Sequence, residues 1–260
     1  MKYKLICPIC VPDPTKGVAA VTAEGDINND FIAVCKCSKE HVSICFQEDY
    51  RFEFLYYSAI QSMVSGNLSE SVLSFSAALE RVFELFIKVN LINYKIPYED
   101  IKKYWKELGL SERQYGAFCT LYFMIAKKEW RENGNMKNFR NKIVHKGYIA
   151  TTKEVEKYAS YIVDKINDVT VWLIENLRDS LLIYEQIIKE ERLLKVKELC
   201  KRHKVDFYCW THGENTLFFF DQNNKHMRLD FNQIMINWNN LPPLTDKQKL
   251  YKVQNIVKFK

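Results

Sequence analysis

Glycine and proline are scarce in this chain, at eight and six residues in 260. So few backbone punctuators argue against a loop-dominated chain and fit a largely helical one. Long apolar runs are missing too: no stretch of eighteen apolar residues occurs, so no membrane span and no membrane partner are expected. The opening "MKYKLICPIC" is too short an apolar run for a secretory signal, and polar residues follow at once. Without such a signal the expected compartment is the reducing cytoplasm. The eight cysteines then read as metal ligands or buried thiols, not disulfides. Arginine is sparse, nine against 29 lysines, and forms no dense patch. The net charge of +6 is therefore compatible with a nucleic-acid partner without demanding one. No internal repeat or low-complexity segment is present, which removes solenoids and arrays.

What is present is enough apolar surface for a core, with 47% hydrophobic and 14% aromatic residues. Residues 1–50 hold five of the eight cysteines, turn signals ("VPDPTKG", "EGDINND") and short β-type runs ("VAAVTA", "FIAVCK"), and read as a small β-rich module. Helical periodicity fills residues 51–200. Val72, Phe75, Leu79, Val82 and Phe86 recur at steps of three and four, as do Val155, Tyr158, Ile162, Ile166, Val169 and Leu173. The second stripe runs on towards Leu194 with a break near Asn176. Ser111 is the expected N-cap of one helix, and Thr151 with Glu154 a capping box for another. "NGN" at 133–135 breaks the chain before a short helix that ends at Gly147. In residues 201–260, "VDFYCW", "NTLFFFD" and "MRLDFNQIMINW" read as short strands separated by "HGEN" and "DQNNKH" turns. The expected architecture is a mainly α protein: a helical bundle with a small β-rich module at each end.

Two constellations carry chemistry. Cys7-Pro-Ile-Cys10 is a C-x2-C knuckle, and Cys35-Lys-Cys37 supplies a second close pair, together a tetrahedral four-sulfur site for a structural zinc. A fifty-residue module with few large apolar residues needs such a staple. His41 and Cys45 are alternates for one ligand, and a set of reduced thiols in a small sheet is the competing reading. A weaker pattern, Cys200-x2-His203 with Cys209-x2-His212, reads as a buried cysteine and surface histidines more readily than as a second centre.

The other constellation is "NFRNKIVHKGYI", residues 138–149. Arg140 and His145 stand five apart, about 140° around a helix, so they flank a groove and do not stack. Asn141 and His145 share a face, and Lys142 and Lys146 interleave as candidate substrate-binding cations. An imidazole moves protons near neutral pH, a guanidinium holds a phosphate in bidentate fashion, and RNA carries its own nucleophile in the 2′-OH. No carboxylate cluster with metal-site spacing lies near the motif. The same residues also read as an ordinary basic surface helix with a histidine favoured at its C-terminus.

The stretch resembles the R-x4-6-H motif of the HEPN superfamily of helical ribonucleases. "SFSAALERVFELFI", "LSERQYGAF" and "FRNKIVHKG" are similar to the helices of HEPN domains in abortive-infection proteins, some of which carry an amino-terminal zinc ribbon. The resemblance covers residues 51–180 and, more loosely, 1–50. It implies a bundle that forms a homodimer through the motif helix and cleaves RNA without a metal, leaving a 2′,3′-cyclic phosphate. It also implies a toxin or antiviral setting, with an antitoxin or a phage protein as a further partner. Carried over, Arg140 binds the phosphate, Asn141 is its polar support and His145 carries the proton, with Glu80 and Glu84 as supporting acids. A non-catalytic nucleic-acid-binding or phage-protein-sensing adaptor on the same fold is the alternative.

Overall fold

Two sequence textures, period-two strands at both ends and period-3.6 helices between them, map onto the computed structural model, which describes residues 2–10, 21–211, 231–232, 235 and 255–258. Strands β1 (Lys2–Ile6), β2 (Thr22–Asp26), β3 (Ile32–Cys37) and β4 (Val42–Gln47) come first. Helices α1 (Arg51–Val64), α2 (Leu68–Asn93), α3 (Tyr98–Glu107), α4 (Ser111–Ala126), α5 (Gly134–Lys146) and α6 (Thr152–His203) follow, and then β5 (Phe207–Thr211) and β6 (Asn255–Lys258). The protein is mainly helical, and no helix among the described residues is long and apolar enough to cross a membrane.

The described residues fall into two compact units. One lies within Met1–Asp49, Gln186–Glu214 and Asn239–Lys260, the other within Tyr50–Glu185 and Asn215–Trp238. Where the sequence suggests three consecutive modules, strands from both ends of the chain join one six-stranded sheet, ordered β1-β2-β3-β4-β5-β6. The pairings are antiparallel except for β4–β5, which is parallel with Cys45 opposite Cys209. All six helices are thus inserted in sequence between two neighbouring strands.

Alternation gives the sheet two apolar faces. Ile32, Ile44 and Phe46 pack with Val196 and Cys200 from the last turns of α6. The opposite face carries Tyr3, Leu5, Ala23, Ala33, Phe207 and most of the cysteines. Gly25 lets β2 lie close to β3, since a Cβ there would sit 2.3 Å from the Val34 carbonyl oxygen. Arg192 of α6 donates to the carbonyls of Gln47 (2.8 Å) and Asp49 (3.1 Å) and lies 4.7 Å from the Phe31 ring, which satisfies the end of β4.

In the helical unit α2 is central. The stripes Val72–Phe86 and Val155–Leu173 are buried, whereas Leu194, towards which the second was expected to run, is exposed; both stripes meet an aromatic cluster of Phe83, Phe86, Phe118, Tyr122 and Trp130. Phe118 stacks on Phe83 at 4.2 Å between ring centroids and is fully buried, so truncation to alanine costs about 3–5 kcal/mol. The expected break near Asn176 is a single non-helical residue, Leu177 (φ −135°).

Three local expectations need correction. Leu110, not Ser111, occupies the N-cap of α4, and the Ser111 hydroxyl turns to the Glu112 carboxylate at 3.5 Å. Glu154 does accept from the Thr151 backbone N–H (2.9 Å), but the Thr151 hydroxyl donates to the same carboxylate (2.7 Å), so only half of the reciprocal box forms. Phe231, Asn232 and Met235, expected in a strand, are helical, and Phe231 is buried in the helical core. The "VPDPTKG", "NTLFFFD", "HGEN" and "DQNNKH" segments lie outside the described residues.

Candidate functional site

The first site grows from two tight turns. Cys7 ends β1 and Cys10 follows within one turn. Cys37 ends β3, and the β3–β4 turn brings His41 back beside it, with the Cys37 N–H donating to the His41 carbonyl (3.2 Å) and Glu40 at φ +59°. The ligand atoms of Cys7, Cys10, Cys37 and His41 all lie within 4.8 Å of one another. Cys10 Sγ is 3.1 Å from His41 Nδ1 and 4.0 Å from Cys37 Sγ, and Cys7 Sγ is 3.9 Å from His41 Nδ1. A tetrahedral cation with metal–sulfur bonds near 2.3 Å has sulfur–sulfur edges of about 3.8 Å, so the spacing is compatible with a metal. The three cysteines are buried and His41 is half-buried.

The electrostatics are those of crowded donors. Burial, with the neighbouring Cys7 and Cys37 thiols, pushes Cys10 up to about 11. Burial also acts to raise Cys37, but N–H donors from Lys39 and His41 outweigh it and hold that thiol below its ordinary value. The Lys39 N–H lies 3.4 Å from Cys37 Sγ, a backbone donor aimed at a sulfur.

Cys35, expected as the fourth ligand, is elsewhere. Its Sγ is not among the converging donor atoms, whereas the β3–β4 turn returns His41 to the side of Cys37. Cys35 instead neighbours Cys45. Hydrogen bonds to the Cys209 and Cys35 thiols, with burial, push Cys45 well above the usual thiol range. Cys209, accepting from Cys45, is lowered. Cys200 Sγ donates to the Phe207 carbonyl at 3.4 Å from the other face of the sheet, and His203 is exposed. These residues form no second group of metal donors among the described residues, and His212 lies outside them.

The second site is a cleft of about 200 Å³ in the helical unit, formed by α2, α4, α5 and α6. The motif helix α5 is cut at both ends by its sequence. Asn133 caps it, accepting from the backbone N–H groups of Asn135 (3.0 Å) and Met136 (3.4 Å), and Gly147 closes it at φ +63°. Met136 and Ile143 anchor the buried side of α5, which leaves Arg140 and Asn141 half-buried on the cleft wall. Arg140 Nη1 donates to Asn141 Oδ1 (3.2 Å) and makes no ion pair among the described residues, although Glu80, Glu112 and Glu132 line the same cleft. Phe83, Tyr115, Tyr158 and Tyr161 give it aromatic surface. Burial pushes the Tyr158 hydroxyl up to about 12, and it shares a 2.8 Å hydrogen bond with Ser76.

His145, Lys142 and Lys146 are exposed and do not line the cleft. Lys142 lies 6.0 Å from the Tyr148 ring. One protomer therefore brings Arg140 and Asn141 together but leaves His145 outside the cleft, about 140° around the helix from Arg140. Glu84 is engaged by Arg81 (2.6 Å) and Lys88 (2.5 Å), a structural ion network. Glu80, one of the two expected supporting acids, lines the cleft, and Gln114, Tyr115 and Tyr161 join it from distant positions that no local motif marks.

No family model, curated protein or solved structure matches the chain.

Proposed function

We propose that the protein is a metal-independent endoribonuclease of HEPN type that acts as a homodimer, an effector whose RNA cleavage serves as a toxin in antiviral defence. The observation that carries this reading is the half-buried Arg140, free of any counter-ion among the described residues, beside Asn141 on a helix that exposes His145 one turn later. A guanidinium so placed is open to an anion, and a phosphodiester fits it in bidentate fashion.

In the proposed reaction Arg140 holds the scissile phosphate and Asn141 fixes its guanidinium. A histidine takes the proton of the 2′-OH, the 2′-oxygen attacks phosphorus, and the 5′-oxygen leaves with a proton from water. The products are a 2′,3′-cyclic phosphate and a 5′-hydroxyl. Two copies of α5 at a two-fold axis bring the His145 of each to the Arg140 of the other, and Lys142 and Lys146 hold the flanking phosphates. The metal we assign to Cys7, Cys10, Cys37 and His41 is a zinc ion; three thiolates and one imidazole would hold it without leaving a position for substrate, so its role would be structural.

The test is incubation of purified protein with mixed RNA in the presence of EDTA, beside His145→Ala. Wild-type cleavage that survives the chelator and is lost in the variant supports the reading. Loss with EDTA, or equal cutting of DNA, ends it. In cells, slowed growth or protection against phage should depend on Arg140 and His145. One observation favours a second reading: a lone protomer does not assemble the Arg–His pair. A strictly monomeric protein would be a non-catalytic RNA-binding or phage-protein-sensing adaptor.

A further inference from the structure

The cleft beside α5 is mixed in charge. A groove for a polyanion alone would be cationic throughout. Here Arg140 and Lys137 share the walls with Glu80, Glu112 and Glu132, and the Glu80 and Glu132 side chains are only 37% and 24% exposed. Carboxylates in that position repel phosphate and welcome N–H donors. Leu79, Phe83 and Ile162 add apolar lining. Two tyrosines are held in place. The Tyr161 hydroxyl accepts from the Asn133 N–H at 3.1 Å, and the Tyr115 ring packs 5.7 Å from Phe83. The volume of about 200 Å³ is below the ~300–1,000 Å³ of sites for drug-sized ligands, which suits one flat heterocycle.

Gln114 makes the pattern directional. It is buried, and Arg81 Nη2 lies 3.2 Å from its side-chain oxygen. Arginine only donates, so the group facing it is the carbonyl, and the amide NH₂ is the end left over. The cleft therefore combines an amide donor, a loosely held carboxylate and aromatic walls. Arg81 lies 3.9 Å from Glu80 but 2.6 Å from Glu84, which leaves Glu80 the weaker partner.

We propose that this cleft is a base-specificity pocket that seats an unpaired guanine of the RNA strand. The ring lies against Tyr115 and Tyr161, O6 accepts from the Gln114 amide, and the Glu80 carboxylate accepts from N1–H and N2–H. Arg140 takes the adjoining phosphate. Guanine alone among the four bases presents one acceptor followed by two adjacent donors on its pairing edge. Uracil presents one donor between two acceptors and leaves Glu80 repelled. This assignment rests on the nuclease reading in placing an RNA strand along α5.

The test uses the full chain and the mononucleotides GMP and UMP in titration calorimetry, with mapping of cut sites on a mixed RNA. GMP should bind at least about tenfold tighter than UMP, the discrimination expected of one bidentate carboxylate contact. Glu80→Gln, which changes charge but not shape at a partly exposed position, should remove most of that advantage, and cuts should lose their bias to guanine. Equal binding of the two nucleotides, binding of neither, or a GMP preference unchanged in Glu80→Gln overturns the proposal. Selective GMP binding without RNA cleavage upholds the pocket and sinks the nuclease. Cleavage with no base preference does the reverse.

Discussion

Three cysteines and one histidine sit at ligand spacing, while five buried or half-buried cysteines do not, and this makes the thiols separable one residue at a time. If zinc is bound there, elemental analysis should return about one ion per chain, retained in Cys35→Ser and lost or much weakened in Cys7→Ser and His41→Ala. Equal loss in Cys35→Ser would move the centre back to four sulfurs. His145→Ala removes proton transfer, typically about 10²- to 10⁴-fold in rate. Arg140→Ala removes charge stabilisation of about 3 kcal/mol. Arg140→Lys should recover only part, because an ammonium cannot make the paired contact and would not hold Asn141 Oδ1 in the same way. Asn141→Ala should be milder, since it acts through Arg140. Single-turnover rates for these variants, set beside Lys142→Ala and Lys146→Ala, separate a catalytic pair from a basic surface helix, in which all six would behave alike.

At the scale of elements, α5 is a short helix whose position depends on its two ends. Asn133→Ala leaves two N–H groups without their cap and should cost about 1 kcal/mol. Gly147→Ala meets no atom within 4 Å, so its cost, again about 1 kcal/mol or more, is conformational and comes from φ +63°. Either change should lower the melting midpoint by about 2–4 °C in a protein of this size, measurable by calorimetry. The start of α6 adds a pH signature. Hydrogen bonds from the Thr151 backbone and hydroxyl hold the Glu154 carboxyl below its ordinary 4.5. A depressed carboxyl stabilises the fold above its unfolded pKa and loses that contribution as pH falls through the folded value. The gap in melting temperature between wild type and Glu154→Gln should therefore shrink as pH drops from neutral into the acid range. Elements of this kind were the most legible part of the chain, because stripes such as Val72–Phe86, the Gly147 stop and the weakness near Asn176 are local signals. Ser111 lost the cap to Leu110 because cap position depends on where the preceding turn delivers the chain. His41, named in sequence only as an alternate ligand, took the place of Cys35 for a similar reason: spacing along a strand is a poor guide once a hairpin turn folds the strand back. The parallel β4–β5 pairing and the cleft residues Gln114, Tyr115 and Tyr161 were invisible in sequence, since each depends on elements brought together across long separations.

For the whole molecule, the decisive fact is that Arg140 lines a cleft from which His145 of the same chain is absent. If the proposed chemistry is right, the missing imidazole comes from a second copy, and light scattering should give about twice the 30.9 kDa chain mass. Mass alone would not show that the copies share a site, but mixing inactive variants would. A dimer of Arg140→Ala with His145→Ala has one cleft that has lost both groups and another in which an intact Arg140 faces an intact His145. Random exchange makes half of all dimers mixed, each with one of two clefts whole, so roughly a quarter of wild-type activity should return from two proteins that are each inactive. If His145 acted on the phosphate held by its own chain, every cleft in the mixture would lack one group and nothing would return. Recovery on mixing, measured on RNA in EDTA after subunit exchange, thus tests the dimer and the division of labour within it in one experiment.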